Sequence, residues 1–123
     1  MQNTETHRSI LRGVMDRWKA GVDTHVPQEV AGCFTEDAIF QGLRPYSLGR
    51  PGIAEYYESQ PLGLTAAYEI LETRELADDV LLGYLGVEFS FDDRPTISVN
   101  LSIVLSRVDG EWLISHYQVS RLG

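Results

Sequence analysis

Apolar residues near the start of the chain recur at steps of three and four, opposite a charged face. This spacing is typical of an amphipathic helix with one buried side, and it predicts a helix from Thr4 to about Asp23. Pro27 is well placed to open a second short helix that runs through Cys33 or Phe34. The apolar face of the first helix contains Ile10, Leu11, Val14, Met15, Trp18 and Val22.

The middle of the chain is interrupted by glycine and proline. Ala38 to Gln41 is predicted to be short and extended, and Gly42 to Pro51 is predicted to be a loop. Gly52 to Gln60 is predicted to form a third short helix. Pro61 and Gly63 follow it and are expected to end it.

After Leu64 the hydrophobic pattern changes from helical to alternating, which predicts an antiparallel sheet. Asp109-Gly110, between two alternating runs, is the strongest short hairpin signal in the chain. Four strands are expected, at about Ala66 to Leu76, Val80 to Phe91, Ile97 to Arg107 and Glu111 to Leu122.

The Asp109-Gly110 turn also predicts which side chains share a face of the sheet. A two-residue turn there pairs Val108 with Glu111, so odd positions of one strand face even positions of the other. With residues 92–96 as the preceding loop, the inward face is apolar with a polar patch. It includes Phe89, Leu101, Ile103, His116 and Gln118.

The opposite face is mixed, with enough apolar and aromatic area to predict a homodimer through the outer face of the sheet. It includes Leu82, Tyr84, Val104, Tyr117 and Val119. The first strand is ambiguous, because turns at Asp78-Asp79 or at residues 77–79 give opposite answers. The orientation of Tyr68, Ile70, Glu72 and Arg74 therefore stays open.

Composition and charge narrow the class of protein. With 123 residues, 43% of them hydrophobic and 23% charged, the chain is expected to form a single folded domain over residues 1–123. The net charge of -8 repels phosphate backbones and anionic lipids, so neither nucleic acid nor a membrane is an expected partner. Met1 to Arg8 lacks the apolar core of a signal peptide, and a cytoplasmic location is expected.

The residues suited to metal or cofactor binding are scattered. Cys33 is the only cysteine, and it is best interpreted as a small buried apolar residue. His7, His25 and His116 show no metal-ligand spacing, and the glycines match no phosphate-binding loop. No metal and no cofactor are predicted.

The order of elements and three local segments resemble the NTF2-like superfamily. The segments are Cys33 to Phe40, Gly49 to Tyr57 and Asp109 to Ser120. The resemblance implies an α+β cone, in which a curved antiparallel sheet wraps around N-terminal helices and encloses a pocket. The narrower likeness is to SnoaL-like and SgcJ-like small proteins of polyketide and enediyne biosynthesis, through Phe40 to Gly42 and Tyr56 to Pro61. That resemblance implies a small hydrophobic, aromatic or polyketide-type ligand.

His116 is the first candidate for chemistry, because an imidazole on the inward face could act as a general base or proton donor. An inert core histidine is an equally good interpretation. Gln118 stands where the family pattern usually has a histidine, and it can orient a carbonyl or hydroxyl but cannot move protons. Of two adjacent tyrosines, Tyr56 is expected to point into the pocket and Tyr57 to cover its rim.

The remaining candidates are apolar, and core packing explains them equally well. Trp18, Phe40 and Phe89 would form flat walls, and Leu101 and Ile103 would line the inward face of the sheet. Ketosteroid-isomerase-like and cyclase members of this fold use a pocket carboxylate. Here no Asp or Glu is clearly inside.

Two functional hypotheses follow from these residues. The first is a cofactor-independent cyclase or isomerase, or a carrier of a reactive intermediate, with His116 as proton shuttle and Gln118 and Tyr56 as orienting donors. The second is a non-catalytic ligand-binding or dimeric interaction domain, favoured by the missing carboxylate and by Gln118. The fold alone cannot decide between them, because one scaffold hosts many activities.

Overall fold

The structure is a computed structural model and describes residues 4–122. The predicted helices and long strands are all present, and a two-residue strand is added. Of the N-terminal segment discussed above, residues 1–3 lie outside the described part. No helix within residues 4–122 is long and apolar enough to cross a membrane. The elements are α1 (Thr4–Asp23), α2 (Pro27–Ala31), β1 (Phe34–Gln41), β2 (Ser47–Leu48), α3 (Gly49–Glu58), β3 (Thr65–Ala77), β4 (Val80–Ser90), β5 (Ile97–Val108) and β6 (Glu111–Arg121).

Several boundaries differ from the prediction: α2 ends at Ala31, before Cys33, α3 ends at Glu58, before Gln60, and the starts of α3 and β1 are both earlier. α3 begins at Gly49, where a positive φ of 77° suits glycine, and an added Cβ would lie 2.9 Å from the Glu36 carbonyl oxygen. β1 begins at Phe34, earlier than expected, because this segment pairs with β6. The pairing is parallel, whereas every other neighbouring pair in the sheet order β2-β1-β6-β5-β4-β3 is antiparallel.

α1 packs on the inside of the sheet and also covers the free edge of β3. Leu11, Met15 and Trp18 are fully buried, as the helical pattern predicts. At the edge, Lys19 Nζ donates to the Ala66 carbonyl at 2.5 Å, and the Ala66 N–H donates to Asp23 Oδ1 at 2.9 Å. An edge strand with free backbone groups invites pairing with other chains, so these contacts protect the sheet.

The turn at Asp109-Gly110 has the predicted form, and the first pair of residues between β5 and β6 is the predicted one. Both residues have positive φ, 52° and 81°, as a type I′ turn requires, and Val108 pairs with Glu111. The β4–β5 pairing agrees with the predicted faces, because Phe89 lies opposite Ile97 on the inward side, but β4 ends at Ser90 and not at Phe91.

A β-bulge at Ser115 then changes the register of β6. Ile114 pairs with Leu105, but the next pair joins His116 to Val104, so Ser115 is the extra residue. The Ser115 hydroxyl donates to the Val104 carbonyl at 3.2 Å and accepts from Ser106 at 2.9 Å.

The bulge exchanges the two faces of the second half of β6. His116 and Gln118 now share the outer face with Val104, while Tyr117 and Val119 turn inward and are buried. The predicted inward placement of His116 and Gln118 is therefore wrong, because one extra residue reverses every later side chain.

A second irregularity, between Ile70 and Glu72 in β3, settles the orientation that the sequence left open. Tyr68 and Ile70 come before it and face inward, and Glu72 and Arg74 come after it and face outward. Arg74 Nη1 lies 3.2 Å from Glu72 Oε1 in an exposed ion pair on the outer face. These two residues therefore belong to the surface.

The interior has two ends of different composition. Towards the β5–β6 hairpin, fully buried aliphatic side chains fill the space beneath α1. Towards the opposite end, aromatic side chains dominate. The aliphatic end includes Leu11, Leu81, Leu85, Leu101, Ile103 and Leu105, and the aromatic end includes Trp18, Phe34, Phe40, Tyr57 and Tyr117.

Candidate functional site

A cavity of about 180 Å³ opens at the aromatic end, between α3, the loop after β1 and the sheet. The bulge in β6 positions its inner wall, because it turns Tyr117 and Val119 towards the inside. The lining residues are Gly42, Leu43, Arg44, Tyr56, Tyr57, Gln60, Leu64, Phe89, Phe91, Arg94, Ile97, Tyr117 and Val119.

The Tyr57 hydroxyl is a buried polar group of this lining with a fixed partner. Trp18 Nε1 donates to it at 3.1 Å, and an indole N–H can only donate, so the Tyr57 oxygen accepts. Tyr117 approaches the same oxygen, and this interaction lowers the pKa of Tyr57 and raises the pKa of Tyr117, which is the pattern expected when Tyr117 donates. Because its oxygen accepts, Tyr57 keeps its own O–H proton, which can donate to an acceptor in the cavity that it lines.

Burial raises the pKa of Tyr57 and of Tyr117, and at Tyr57 the hydrogen bonds with Tyr117 and Trp18 oppose that rise. Both hydroxyls are therefore neutral at physiological pH, because a free tyrosine already titrates near 10. A neutral phenol here is a hydrogen-bond donor and not a base. Because Tyr117 donates to Tyr57, the Tyr57 hydroxyl is the member of the pair that can donate to an oxygen on a ligand.

Tyr56 lies nearer the rim than Tyr57, which reverses the predicted arrangement. Tyr56 is half-buried, whereas Tyr57 is 4% exposed, and their rings meet edge to face at 5.0 Å. Burial raises the pKa of Tyr56, and a hydrogen bond from the Leu43 backbone opposes that rise. Gly42 leaves room for this hydroxyl, since an added Cβ would lie 2.7 Å from it. The two tyrosines diverge as expected, but Tyr57 is the inner one.

The other predicted wall residues divide into lining and support. Phe89 lines the cavity and packs edge-on against Trp18 at 6.0 Å between ring centroids. Trp18 and Phe40 lie behind the lining, and Phe40 stacks on Tyr117 at 4.5 Å with an interplanar angle of 18°. These rings hold the lining tyrosines in place.

Leu101 and Ile103 do not reach the cavity. Both are fully buried in the aliphatic core on the inward face of β5, as their position in the strand predicts. Neither is among the residues that line the cavity, so the prediction that they contact a ligand does not fit this arrangement.

Two arginines are the charged residues of the lining. Arg94 Nε lies 3.0 Å from Asp93 Oδ1, and its guanidinium stands over the Phe91 ring at 5.0 Å. Arg44 has no Asp or Glu oxygen within 4 Å among residues 4–122. The rim of the cavity therefore carries two guanidinium groups, and one of them is paired with Asp93.

Acid–base and metal-binding groups are missing from this lining as far as residues 4–122 describe it. It contains no Asp, Glu or His, and no cluster of three such residues or Cys in the described chain could hold a metal ion. Cys33 is buried, as predicted, and burial raises the pKa of its thiol. The cavity can bind a ring and donate hydrogen bonds, but it offers no carboxylate or imidazole base.

Tyr117 and the two arginines were not among the residues predicted from the sequence. The signal for Tyr117 is the run Ile114-Ser115-His116-Tyr117, where two polar residues separate apolar ones and the alternation changes parity. That pattern is typical of a bulge. Arg44 and Arg94 lie in loops, where no periodicity shows which side chains meet.

No family model and no curated protein matches the chain. Solved structures do. A ketosteroid isomerase-like protein from Erwinia carotovora atroseptica matches with a TM-score of 0.80 at 18% identity, over 94% of this chain and 95% of that one. An NTF-2 like protein of unknown function from Shewanella oneidensis matches with a TM-score of 0.79 at 12% identity, over 92% and 98%.

A third structure, a protein of unknown function with a cystatin-like fold from Nostoc punctiforme, matches with a TM-score of 0.84 at 12% identity, over 99% of this chain and 96% of that one. At these identities the similarity concerns the backbone fold. The predicted fold class is confirmed: the chain has an α+β, NTF2-like fold with a curved, unclosed sheet.

Proposed function

We propose that this chain binds a small aromatic molecule in the Tyr57 cavity. The observation that supports this most strongly is the hydrogen bond from Trp18 to Tyr57, which holds a buried hydroxyl in place while its proton remains available. Apolar cavities with a few fixed polar groups are the usual form of small-molecule sites. The ketosteroid isomerase-like neighbour is consistent with a pocket used in this way.

The size of the cavity limits the ligand. At about 180 Å³, it is slightly larger than the cavity of about 150 Å³ that is known to hold benzene. A single substituted ring fits this space, and a polycyclic molecule does not without movement of the rim. The polyketide-type ligand implied by the SnoaL-like resemblance is therefore proposed to be a one-ring compound, handled in the cytoplasm as part of secondary metabolism.

A cofactor-independent isomerase or cyclase activity is the second candidate, and the free Tyr57 proton favours it. A fixed donor can stabilise negative charge that develops on a substrate oxygen, as oxyanion-hole donors do. His116 has no part in this version, because the outer face of β6 carries it away from the cavity. The base would have to be supplied by the substrate or by solvent.

The binding proposal is tested by NMR, with ¹⁵N-labelled protein titrated against phenols, benzamides and benzoates. We expect shift changes centred on Tyr57, Tyr117 and Val119 and weaker binding by Tyr57→Phe. Tyr84→Phe is the matched control, because it removes a tyrosine hydroxyl that bonds Asn100 on the outer face. Binding that is equal in both variants, or shift changes confined to the outer face, would contradict the proposal.

A homodimer through the outer face stays a proposal, supported by the character of that face. Interfaces are depleted of charged residues at their centre. The outward side chains in the middle of β4, β5 and β6 are largely uncharged: Tyr84, Asn100, Ser102, Val104, His116 and Gln118. Light scattering of the wild type against Val104→Lys tests this, and a monomeric wild type at 100 µM would reject the dimer.

A further inference from the structure

We propose that the ligand of the Tyr57 cavity is an anion, a one-ring aromatic carboxylate whose carboxylate is bound by Arg44 and Arg94 at the rim. This inference rests on the proposed function and adds the chemical class of the ligand. It also assigns a binding role to two loop residues.

The contrast between the cavity and the whole protein is the first argument. The chain has 18 acidic and 10 basic residues, a net charge of -8. Both charged residues of the lining are nevertheless arginines. An acidic protein repels anions at long range, so a local pair of cations is needed to retain one.

The availability of Arg44 is the second argument. Its backbone is fixed, because Gln41 Nε2 donates to the Arg44 carbonyl at 2.6 Å. Its guanidinium has no acidic partner within 4 Å in residues 4–122. A guanidinium offers a planar pair of donors that match the two oxygens of a carboxylate.

Arg94 has the supporting role. Asp93 already neutralises part of its charge, and the Phe91 ring fixes the position of the guanidinium at the rim. Hydrogen bonds to charged groups are shorter and stronger than neutral ones, but exposure to water weakens them. We therefore expect Arg44 to contribute more than Arg94.

The buried hydroxyls give the ligand its orientation. With a carboxylate at the arginines, the ring lies among the aromatic side chains and its far end faces Tyr57 and Tyr117. The Tyr57 hydroxyl can donate to an oxygen at that end, while Tyr117 donates to the Tyr57 oxygen and holds it in place. A para-hydroxybenzoate has this arrangement of groups on one ring.

The test compares 4-hydroxybenzoate with its neutral isostere 4-hydroxybenzamide by isothermal titration calorimetry, in wild type, Arg44→Gln and Arg94→Gln. Arg12→Gln is the control, since it removes one positive charge from the exposed face of α1. We expect the wild type to prefer the carboxylate about tenfold, the size of one charge-assisted hydrogen bond. Raising the salt concentration should reduce this preference.

Arg44→Gln should lose most of the preference, with amide affinity unchanged, and Arg94→Gln should lose about threefold. Arg12→Gln should stay within twofold of the wild type. Equal affinity for the acid and the amide, or an equal loss of both in Arg44→Gln, would overturn the inference and leave the proposed function standing. Failure of both compounds, and of the phenols and benzamides above, would overturn both.

Discussion

The two ends of the interior show how one fold can provide both a core and a site. At the aliphatic end, side chains such as Leu85, Ile103 and Leu105 have no exposed surface. At the aromatic end, Tyr57 and Tyr117 are nearly as well buried as those aliphatic residues, yet a cavity of about 180 Å³ remains beside them. Burial alone therefore does not distinguish a packing residue from a binding residue.

The difference comes from the shape and polarity of the side chains. Aliphatic groups interdigitate and need no partners, so they can close every gap. Rigid rings meet at fixed angles, and each buried hydroxyl needs a hydrogen bond. The Trp18–Tyr57 hydrogen bond satisfies that need within the protein.

Ile103→Ala should have the largest effect on stability and almost none on binding. Removing a fully buried aliphatic side chain leaves a cavity and costs about 2–5 kcal/mol of unfolding free energy. Urea denaturation measures the loss, with Val104→Ala on the half-buried outer face as the milder control. Weakened binding of 4-hydroxybenzoate by folded Ile103→Ala protein would show that the two ends are not separate.

Tyr57→Phe should lower the unfolding free energy less than Ile103→Ala does, and it should weaken ligand binding. It leaves the fully buried Trp18 N–H without a partner, which costs about 1–3 kcal/mol. Tyr56→Phe should cost under about 1 kcal/mol, because water can replace its hydrogen bond at the rim. In a Trp18→Phe background, Tyr57→Phe should cost less than it does in the wild type, and additive losses would argue against the hydrogen bond.

Alkaline pH should lower the unfolding free energy of the wild-type protein through the buried tyrosines of the aromatic end. The folded pKa values of Tyr57 and Tyr117 are raised by burial, so their stabilising effect is complete below the unfolded value near 10. It is lost as pH rises through the folded values, because the unfolded chain then binds fewer protons. Each group contributes a loss of up to about 1.4 kcal/mol per pH unit, and urea denaturation at pH 9.5 to 11.5 should show a shallower loss in Tyr117→Phe. An identical slope would mean that Tyr117 is not buried as described.

Most of the fold could be predicted from the sequence because it depends on local periodicity. The helical steps from Leu11 to Trp18 and the Asp109-Gly110 turn each act over a few residues, and both predictions are confirmed. The parallel pairing of β1 with β6 could not be predicted in this way, because it joins residues far apart in the chain.

The site was harder to predict because it depends on a single extra residue. A turn fixes the register only up to the first irregularity, and the bulge at Ser115 comes between the turn and the cavity. The alternation therefore predicts His116 and Gln118 inside and Tyr117 outside, which is the reverse of the structure. Phe89, which lies in a strand without a bulge, was placed correctly.

The most direct test of the Tyr57 cavity compares two neighbours in β6, His116→Ala and Tyr117→Phe, for their affinity for 4-hydroxybenzoate by calorimetry. Tyr117→Phe should weaken binding about three- to tenfold, since it removes a hydroxyl that lines the cavity and bonds Tyr57. His116→Ala should stay within twofold of the wild type, because the bulge turns this side chain outward. Loss of binding in His116→Ala with full affinity in Tyr117→Phe would contradict the account.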